Sequence, residues 1–173
     1  MEYLNLEGDL MIEITIRNVR PDDLERVAEI ETICFPAAEA ATRESLKARI
    51  AAFPECFFLA EREGVLIGFV NGCITNSPVI YDELFYSTQH HIPHGQNLAV
   101  FGLNVIPEYR CKGIAAQLMN HLIQTAKNTG RKSVILTCKN QLVHYYESFG
   151  YANNGLSKST HGGSQWFDMT LTL

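Results

Sequence analysis

The pattern of hydrophobic and polar positions changes period several times along the chain, and each change predicts a new element. Ile12–Arg17 alternates residue by residue, which is typical of a strand with one buried face. Pro21–Ile33 begins with proline and two acids and then repeats apolar residues near helical spacing, which predicts a helix. The same reasoning predicts a helix at 42–52, a hairpin of strands at 57–61 and 65–73, a strand at 98–105, a helix at 113–129, a strand at 133–138, a helix at 141–149 and strands at 151–158 and 165–173.

Two features of this pattern are candidates for ligand contact. Residues 76–97 form a long polar and aromatic segment that contains Tyr81, Phe85 and Tyr86. Because a loop of this length inside a compact domain is often functional, we expect it to border a binding pocket. Gly102, inside the strand at 98–105, predicts a bulge or the close approach of another backbone or of a ligand.

The strand that ends at Val105 is followed by a glycine-containing turn and then by a long amphipathic helix. Amide groups at the start of such a helix lack partners within it and point along the axis at its partially positive end, which suits a phosphate. Gly113 and Ala115 are small enough for a diphosphate to approach the backbone, and Arg110 and Lys112 add charge at the rim. The simpler interpretation is an ordinary helix start with solvated charges.

The distribution of charge favours a small polyanionic ligand over a nucleic acid. The chain carries a net charge of −5, yet no Asp or Glu lies between Glu108 and Glu147, an interval rich in Lys and Arg. An acidic protein would repel a long phosphate backbone elsewhere on its surface. The turn is neither a Walker loop, since it lacks the Gly-Lys-Ser/Thr ending, nor a dinucleotide fingerprint, since it lacks two of that motif's glycines.

Two motifs in this region resemble signatures of the general N-acetyltransferase (GNAT) superfamily. The acetyl-CoA-binding signature Arg/Gln-x-x-Gly-x-Gly/Ala resembles Val105-x-Pro107-x-Tyr109-Arg110-x-Lys112-Gly113-x-Ala115. The downstream signature, which ends in Phe-Tyr-x-x-x-Gly-Phe, resembles Asn140-Gln141-Leu142-Val143-His144-Tyr145-Tyr146-Glu147-Ser148-Phe149-Gly150-Tyr151. Both stand in family order and at family spacing. Two further segments resemble those of the arylalkylamine (serotonin) N-acetyltransferase branch, namely Leu136-Thr137-Cys138 and Trp166-Phe167-Asp168-Met169.

The resemblance implies a fold and a co-substrate. The fold is of the α/β (α+β) class, with a mixed, mostly antiparallel sheet of about seven strands flanked by about four helices. Splayed central strands would hold acetyl-CoA, and no metal is implied. We expect one acetyltransferase domain at 12–173 behind an N-terminal leader at 1–11.

The resemblance also implies which residues contact each substrate. Backbone groups of Leu103, Asn104 and Val105 would pair with the pantetheine arm in the manner of an extra strand, and amides around Leu103 could stabilise the oxyanion. The implied cofactor set is Leu103, Asn104, Val105, Arg110, Cys111, Lys112, Gly113, Ile114, Ala115, Ala116, Asn140 and Tyr146. The implied acceptor set is Phe35, Glu39, Phe101 and Leu103.

Tyr146 is the implied catalytic acid, which would protonate the departing CoA thiolate. A CoA-like thiol should have a pKa near that of cysteine, about 8.5, so a positioned tyrosine suffices as the acid. The alternative is an aromatic core residue whose hydroxyl is satisfied elsewhere. Tyr145 faces a different side of the same helix, and we expect it in the core.

The general base is left open by the sequence. The arylalkylamine enzymes carry a pair of histidines on the strand before the cofactor loop, where this chain has Ala99 and Phe101. The remaining candidates are a water chain or one of five side chains: Glu31, Glu39, His90, His91 and His94. Either glutamate could instead be a solvated helix charge, and the His-His-x-x-His pattern could instead bind zinc.

Length and composition limit the class of protein. A chain of 173 residues with 46% hydrophobic residues fits one soluble domain, and it contains no apolar run long enough to span a bilayer. Its five cysteines are odd in number and widely spaced, which favours reduced thiols and a cytoplasmic location. Cys111 and Cys138 are expected to be packing residues.

The sequence therefore predicts an acetyl-CoA-dependent N-acetyltransferase that acts on a small primary amine, with arylalkylamines among the candidates. We expect a monomer or homodimer without nucleic-acid or membrane partners. One alternative is a protein or peptide N-terminal acetyltransferase of the same fold. Another is a non-catalytic acyl-CoA-binding sensor, which the missing histidine pair would explain.

Overall fold

The computed structural model describes residues 2–4 and 10–173 of the chain. Its strands are β1 (Glu2–Leu4), β2 (Leu10–Ile12), β3 (Thr15–Asn18), β4 (Phe57–Arg62), β5 (Val65–Thr75), β6 (Asn97–Val105), β7 (Ser133–Cys138), β8 (Ala152–Leu156) and β9 (Phe167–Thr172). Its helices are α1 (Leu24–Cys34), α2 (Arg43–Ala52), α3 (Glu83–Tyr86), α4 (Ile114–Asn128) and α5 (Val143–Glu147).

Seven of the described strands form one mixed sheet in the order β3-β4-β5-β6-β7-β9-β8. Strands β6 and β7 run parallel, whereas the β3–β4, β4–β5, β7–β9 and β8–β9 pairs are antiparallel. The predicted α/β fold with a mixed, mostly antiparallel sheet is confirmed, and the described residues form five helices rather than about four.

The predicted elements lie close to the observed ones, with differences at turns. The predicted helix at 141–149 divides into a 3-10 turn, Asn140–Leu142, and the short α5. The segment at 76–97 contains α3 and a 3-10 turn at Thr88–His90. Within the predicted leader, β1 pairs with β2, while residues 1 and 5–9 lie outside the described residues. Of the helices that the structure describes, none has the length and apolar character required to cross a membrane.

The described chain forms two compact units, and the first combines the residues up to Asn71 with Gly102–Leu122. Helix α1 buries Val27 and Ile30 completely because its apolar residues recur at three- and four-residue spacing. Thr42 caps α2 by accepting a hydrogen bond from the Ser45 amide at 3.1 Å. The side chains that fill this core without solvent contact include Leu46, Phe57, Leu59, Ile67, Phe69 and Leu118.

The second unit combines Gly72–Phe101 with Ile123–Leu173. Here β7 pairs with β9 along its whole length, whereas the β6–β7 ladder extends only from Asn97 to Ala99 on β6. Gly72 permits the close approach of β5 to β6, because a Cβ at this position would lie 2.1 Å from the carbonyl oxygen of Ala99. This part of the sheet therefore requires glycine at position 72.

Candidate functional site

The predicted cofactor loop lies at the surface of the first unit, between β6 and α4. Arg110–Gly113 is exposed throughout. The backbone turns sharply here, since Cys111 has a φ of 58° and Gly113 a φ of 76°, both in the left-handed region. A left-handed non-glycine residue is uncommon, and such strain persists where the surrounding structure imposes it, often at ligand-binding sites.

The amide groups that follow this turn are directed outward from the start of α4. The Gln117 amide donates to the Gly113 carbonyl at 3.1 Å and so begins the helical hydrogen-bond ladder. The amides of Ile114, Ala115 and Ala116 precede that ladder, as the first amides of any helix do. With fifteen residues in α4, the partial positive charge of the helix adds to these donors at its N-terminus. The arrangement suits a phosphate or diphosphate.

The two basic side chains of the loop also stabilise its conformation through hydrogen bonds to backbone carbonyl groups. Arg110 donates from Nε to the Val105 carbonyl at 2.9 Å, and Lys112 donates from Nζ to the Glu108 carbonyl at 2.9 Å. Both side chains stay exposed, so their charges remain at the rim of the loop. Cys111 is exposed between them, so its predicted role as a packing residue is wrong, whereas Cys138 is buried as expected.

Glu31 is buried within the first unit and is not a solvated helix charge. Its side chain accepts two hydrogen bonds, from the Ala41 amide to Oε1 at 2.8 Å and from Asn104 Nδ2 to Oε2 at 2.7 Å. This carboxylate therefore joins the connection after α1 to strand β6. The connection contains both Phe35 and Glu39, which are half-buried.

Asn104 and Gly102 lie at the other end of this network. Because Asn104 Nδ2 donates to a carboxylate, its orientation is fixed, and Oδ1 is left buried without a partner among residues 10–173. A Cβ at Gly102 would lie 3.1 Å from that Oδ1 and 3.5 Å from the ring of Phe35. The atoms nearest to a Cβ at Gly102 belong to side chains rather than to another backbone, and the predicted approach of a ligand stays a prediction. The predicted acceptor residue Phe35 therefore lies against β6, the strand that also contains Leu103. The side chain of Leu103 is half-buried.

The predicted catalytic Tyr146 lies in the second unit, on α5. Its side chain is 9% exposed, whereas that of Tyr145 is 37% exposed, so the prediction that Tyr145 is the core residue is wrong. Burial raises the pKa of the Tyr146 phenol above its usual range, with smaller contributions from Tyr145 and Cys138. Its ring lies edge-on to those of Tyr145 and Tyr151, at 5.3 and 5.9 Å. Within residues 10–173 its hydroxyl makes no hydrogen bond.

The other predicted residues after β7 have distinct surroundings. Asn140 is exposed and begins the 3-10 turn that precedes α5. Burial raises the pKa of the Cys138 thiol to about 11, so this cysteine stays protonated. Asn140 is therefore available to a ligand, and Cys138 is a packing residue.

An aromatic cluster lies around His161 in the second unit and reaches Phe101 through Phe85, and the sequence did not predict it as a group. The Phe85 ring contacts Phe101 at 5.4 Å and stacks on His161 at 4.5 Å, with an interplanar angle of 26°. Tyr86 and Trp166 extend the cluster around His161, at 5.9 and 6.2 Å. Phe85 and Tyr86 come from the segment expected to border the acceptor pocket. The other two members of the cluster, His161 and Trp166, come from the β8–β9 connection. In the sequence, this connection is marked only by residues that are common in turns.

Ala99 and Phe101, the two positions at which the sequence lacks the expected histidines, differ in their exposure to solvent. Ala99 has no solvent contact, so an imidazole there would require the neighbouring strands to move apart. Phe101 is half-buried and takes part in the aromatic cluster. Phe101 therefore presents a hydrophobic ring and no titratable group at this position.

The histidines of the 76–97 segment have partners of their own. His91 Nδ1 accepts a hydrogen bond from the Ile74 amide at 3.1 Å, and His90 Nδ1 lies 3.2 Å from the Tyr81 hydroxyl. His94 is exposed. In the described part of the chain, no three His, Cys, Asp or Glu side chains are grouped as a metal site requires. We infer structural roles for His90 and His91.

Comparison with known proteins identifies a family with the same motifs. The sequence model of the acetyltransferase (GNAT) family matches residues 24–151. YkwB from Bacillus subtilis strain 168, named an uncharacterized N-acetyltransferase, is 31% identical over 129 residues, covering 68% of this chain and 57% of YkwB. YhcX from the same organism, named a probable hydrolase, is 29% identical over 143 residues, covering 78% of this chain and 28% of YhcX. The chain thus spans only part of each relative.

Solved structures share the fold over nearly the whole chain. The GNAT-like decarboxylase GphF, in complex with isobutyryl-CoA, superposes with a TM-score of 0.79 at 20% identity, covering 91% of this chain and 98% of GphF. Naa50 from Arabidopsis thaliana, in complex with the bisubstrate analogue CoA-Ac-MVNAL, superposes with a TM-score of 0.72 at 15% identity, covering 94% of this chain and all of that one. At such identities the likeness shows the fold alone.

Proposed function

Because the chain belongs to the acetyltransferase (GNAT) family, we propose that it transfers the acetyl group of acetyl-CoA to a primary amine, with a small arylalkylamine as the acceptor class. The acetyl-CoA half of this proposal is supported by the family and by the CoA-type ligands of the two solved structures. The amine half is supported chiefly by one observation, the aromatic cluster around His161 that reaches Phe101 through Phe85.

The loop from Arg110 to Gly113 fits the pyrophosphate of acetyl-CoA. Its left-handed turn exposes amides at the start of α4, and charged hydrogen bonds from such amides to phosphate are strong. Arg110 and Lys112 would neutralise part of the phosphate charge from the rim. Backbone groups of Leu103, Asn104 and Val105 would pair with the pantetheine arm, which also carries amides.

Tyr146 would act on the leaving thiolate. The neutral amine attacks the thioester carbonyl, a C–N bond forms and the amine nitrogen releases one proton to solvent. The C–S bond breaks as Tyr146 donates its proton to sulfur, and the phenolate regains a proton from solvent. Burial keeps the phenol protonated at neutral pH, since its pKa lies above its usual range. A thiolate in the same apolar surroundings would also have a raised pKa, so proton transfer between the two remains feasible.

The aromatic cluster favours an acceptor that carries a ring or a short apolar chain. Aromatic rings prefer stacked or edge-on neighbours and gain about 0.5–1.5 kcal/mol beyond their area burial from such pairs. Phe101 and Trp166 are half-buried and retain surface for contact. A peptide backbone would instead need hydrogen-bonding groups along an open groove, which is the requirement of the alternative N-terminal acetyltransferase.

The proposal also retains a cytoplasmic location and a monomeric or homodimeric state. The cysteines are free in the structure, with Cys56, Cys73 and Cys138 buried, which is consistent with a reducing compartment.

Release of free CoA from acetyl-CoA, measured with a thiol reagent, tests the proposal. The acceptors are phenylethylamine-type amines, alkyl polyamines and short peptides with free N-termini, each at matched concentration. We expect the highest kcat/KM with the arylalkylamines. A preference for peptides would favour N-terminal acetylation. Tight acetyl-CoA binding by calorimetry without release on any acceptor would favour the acyl-CoA-binding sensor.

A further inference from the structure

A cavity of about 470 Å³ opens within the second unit, and no step of the proposed function uses it. Its walls come from two segments of that unit, at 79–83 and 156–159, and from Asp168 on β9. Cavities that hold small molecules in proteins measure about 300–1,000 Å³. The space is therefore large enough for a small organic ligand.

One wall of the cavity contains a carboxylate that lacks a partner. Asp168 is half-buried on β9, which has a neighbouring strand on each side, and it lies opposite Thr137 of β7. Its Oδ1 has almost no solvent contact and no hydrogen-bond partner among residues 10–173. Buried polar atoms are nearly always paired, because an unpaired one has lost its water without compensation. A cation in the cavity would supply that compensation to the carboxylate.

Acidic side chains outnumber basic ones in the lining. Asp82 and Glu83 join Asp168, whereas Lys158 contributes the opposite charge from an exposed position. Lys158 does not pair with Oδ1 of Asp168, which has no partner in the described part of the chain. A cleft lined mainly by one sign of charge concentrates ligands of the opposite sign. The cavity therefore favours a cationic ligand.

The other lining residues distinguish an organic cation from a metal ion. Over residues 10–173, no three His, Cys, Asp or Glu side chains lie close enough together to hold a metal ion. The cavity also presents aliphatic surface, since Val79 is 39% exposed and Leu156 is 61% exposed. Such surface gains free energy when a hydrocarbon covers it, and the ring of Tyr81 offers a face that attracts a cation. A ligand with one ammonium group and an apolar part would satisfy both kinds of wall.

Hydrogen bonds hold the walls of the cavity in position. Asp82 accepts one from Ser159 Oγ at 2.5 Å and one from the Thr160 amide at 3.2 Å, and so joins the two segments. The hydroxyl of Tyr81 lies 3.2 Å from His90 Nδ1, and the two rings meet edge-on at 5.6 Å. A site whose walls are already ordered spends little of its binding free energy on ordering them.

We propose that this cavity is a binding site for an organic ammonium ion, with Asp168 as the partner of the charge and Val79 and Leu156 as the surface for the apolar part. The proposal goes beyond acetyl transfer and does not depend on it, because binding requires no reaction. Two sources share this chemistry: the acceptor amine of the proposed reaction, and a separate amine that regulates the protein.

Calorimetric titration of the chain without acetyl-CoA tests the site. The probe is 2-phenylethylamine, and 2-phenylethanol is its uncharged match. The variants are Asp168→Asn, which keeps the shape of the side chain, Glu83→Gln, and Glu147→Gln as the matched control. Glu147 is an acid of the same unit on α5, outside the lining of the cavity. Thermal unfolding of each variant checks that the chain is folded.

We expect the amine to bind at least about 10-fold more tightly than the alcohol, because only the amine carries the charge. Asp168→Asn should raise the Kd of the amine by about 10-fold, since it removes a half-buried charge. Glu83→Gln should raise it by about 2-fold to 3-fold, since Glu83 is exposed and water screens its charge. The control should keep the Kd of the wild type. A second binding event, at the aromatic cluster around His161, should be unaffected by Asp168→Asn.

Ionic strength provides an independent measure of the charge. Raising it from about 0.01 M to about 0.15 M shortens the screening length from about 30 Å to about 8 Å. Binding of the amine should weaken over this range, and it should weaken less in Asp168→Asn than in the wild type. A Kd that does not change with salt in the wild type would contradict a charge-based site.

The thiol-release assay separates the two sources of the ligand. If the acceptor occupies the cavity, Asp168→Asn should raise KM for the amine by the same factor as the Kd. An unchanged KM with weakened binding assigns the cavity to a separate amine. Binding of the amine by a chain that acetylates no amine would refute the proposed function and leave this site intact.

Three results would overturn the site itself. The first is a wild-type chain that binds no amine. The second is equal binding of the amine and the alcohol. The third is a folded Asp168→Asn chain in which every binding event keeps its Kd, or in which the loss is no larger than that caused by Glu147→Gln.

Discussion

The proposed catalytic role of the Tyr146 hydroxyl can be tested separately from the contribution of the residue to stability. Its ring is buried, but within residues 10–173 the hydroxyl makes no hydrogen bond. Replacement by phenylalanine therefore leaves no protein group unpaired, and we expect the free energy of unfolding to change by less than about 1 kcal/mol. Loss of a general acid lowers the rate by about 10²–10⁴-fold. At 1.36 kcal/mol per decade, this corresponds to about 2.7–5.4 kcal/mol of transition-state stabilisation.

The assay is the initial rate of thiol release at saturating acetyl-CoA, together with urea unfolding of the same samples. Tyr145→Phe is the matched control, since Tyr145 is on the same helix, contacts Tyr146 at 5.3 Å and is more exposed. We expect its kcat to stay within about 2-fold of the wild type, as a residue without a proton-transfer role should. A Tyr146→Phe variant whose kcat falls by less than about 3-fold would refute the acid assignment.

The pH profile of the wild type adds a second check on Tyr146. Because burial raises the pKa of this phenol above its usual range, the proton stays on the residue throughout the neutral and mildly alkaline range. We therefore expect no loss of kcat from phenol ionisation below about pH 10, the pKa of an unperturbed tyrosine. A falling limb near pH 9 that disappears in Tyr146→Phe would contradict the burial described above.

Three further predictions concern stability and thiol chemistry. Gly72→Ala would place a Cβ 2.1 Å from the Ala99 carbonyl oxygen, so we expect the free energy of unfolding to fall by about 3 kcal/mol, measured by urea titration. Burial lowers the pKa of His121, so the unfolded chain binds more protons than the folded one just below pH 6.5. Stability should therefore decrease as the pH falls through that window, and His121→Gln should flatten the dependence. Iodoacetamide should label exposed Cys111 before buried Cys138, whose pKa is raised to about 11, and CoA should protect Cys111 in peptide mapping.

The order and type of most elements were predictable because their signals are local. β7 has the predicted bounds, since a short apolar run is ended by polar residues on both sides. The strand, turn and helix of the predicted cofactor loop were predictable for the same reason, because they follow one another along the chain. Which of Tyr145 and Tyr146 is buried could not be predicted from the sequence. Adjacent residues on a helix differ by about 100° in direction, and the pattern around these two is apolar on both sides.

The parts of the site that the sequence missed depend on partners far apart along the chain. Glu31 looked like a surface charge because its partner Asn104 is 73 residues away. His161 lies in a polar, glycine-containing loop, and only the fold places it beside Phe85 and Tyr86, about 75 residues earlier. Short-range patterns contain no information about such pairs, so the partners of a loop histidine cannot be recognised before the topology is known.

The hydrogen bond from the Trp166 indole to the His161 carbonyl has a spectroscopic consequence. Trp166 is the single tryptophan of the 173-residue chain, so fluorescence excited selectively at tryptophan originates at this loop. Lys139 lies over the same ring, at 5.7 Å. Emission should therefore respond when the proposed acceptor enters the aromatic cluster. An unlabelled protein thus carries its own optical probe of the proposed acceptor binding, readable in a stopped-flow instrument before the proposed acetyl transfer.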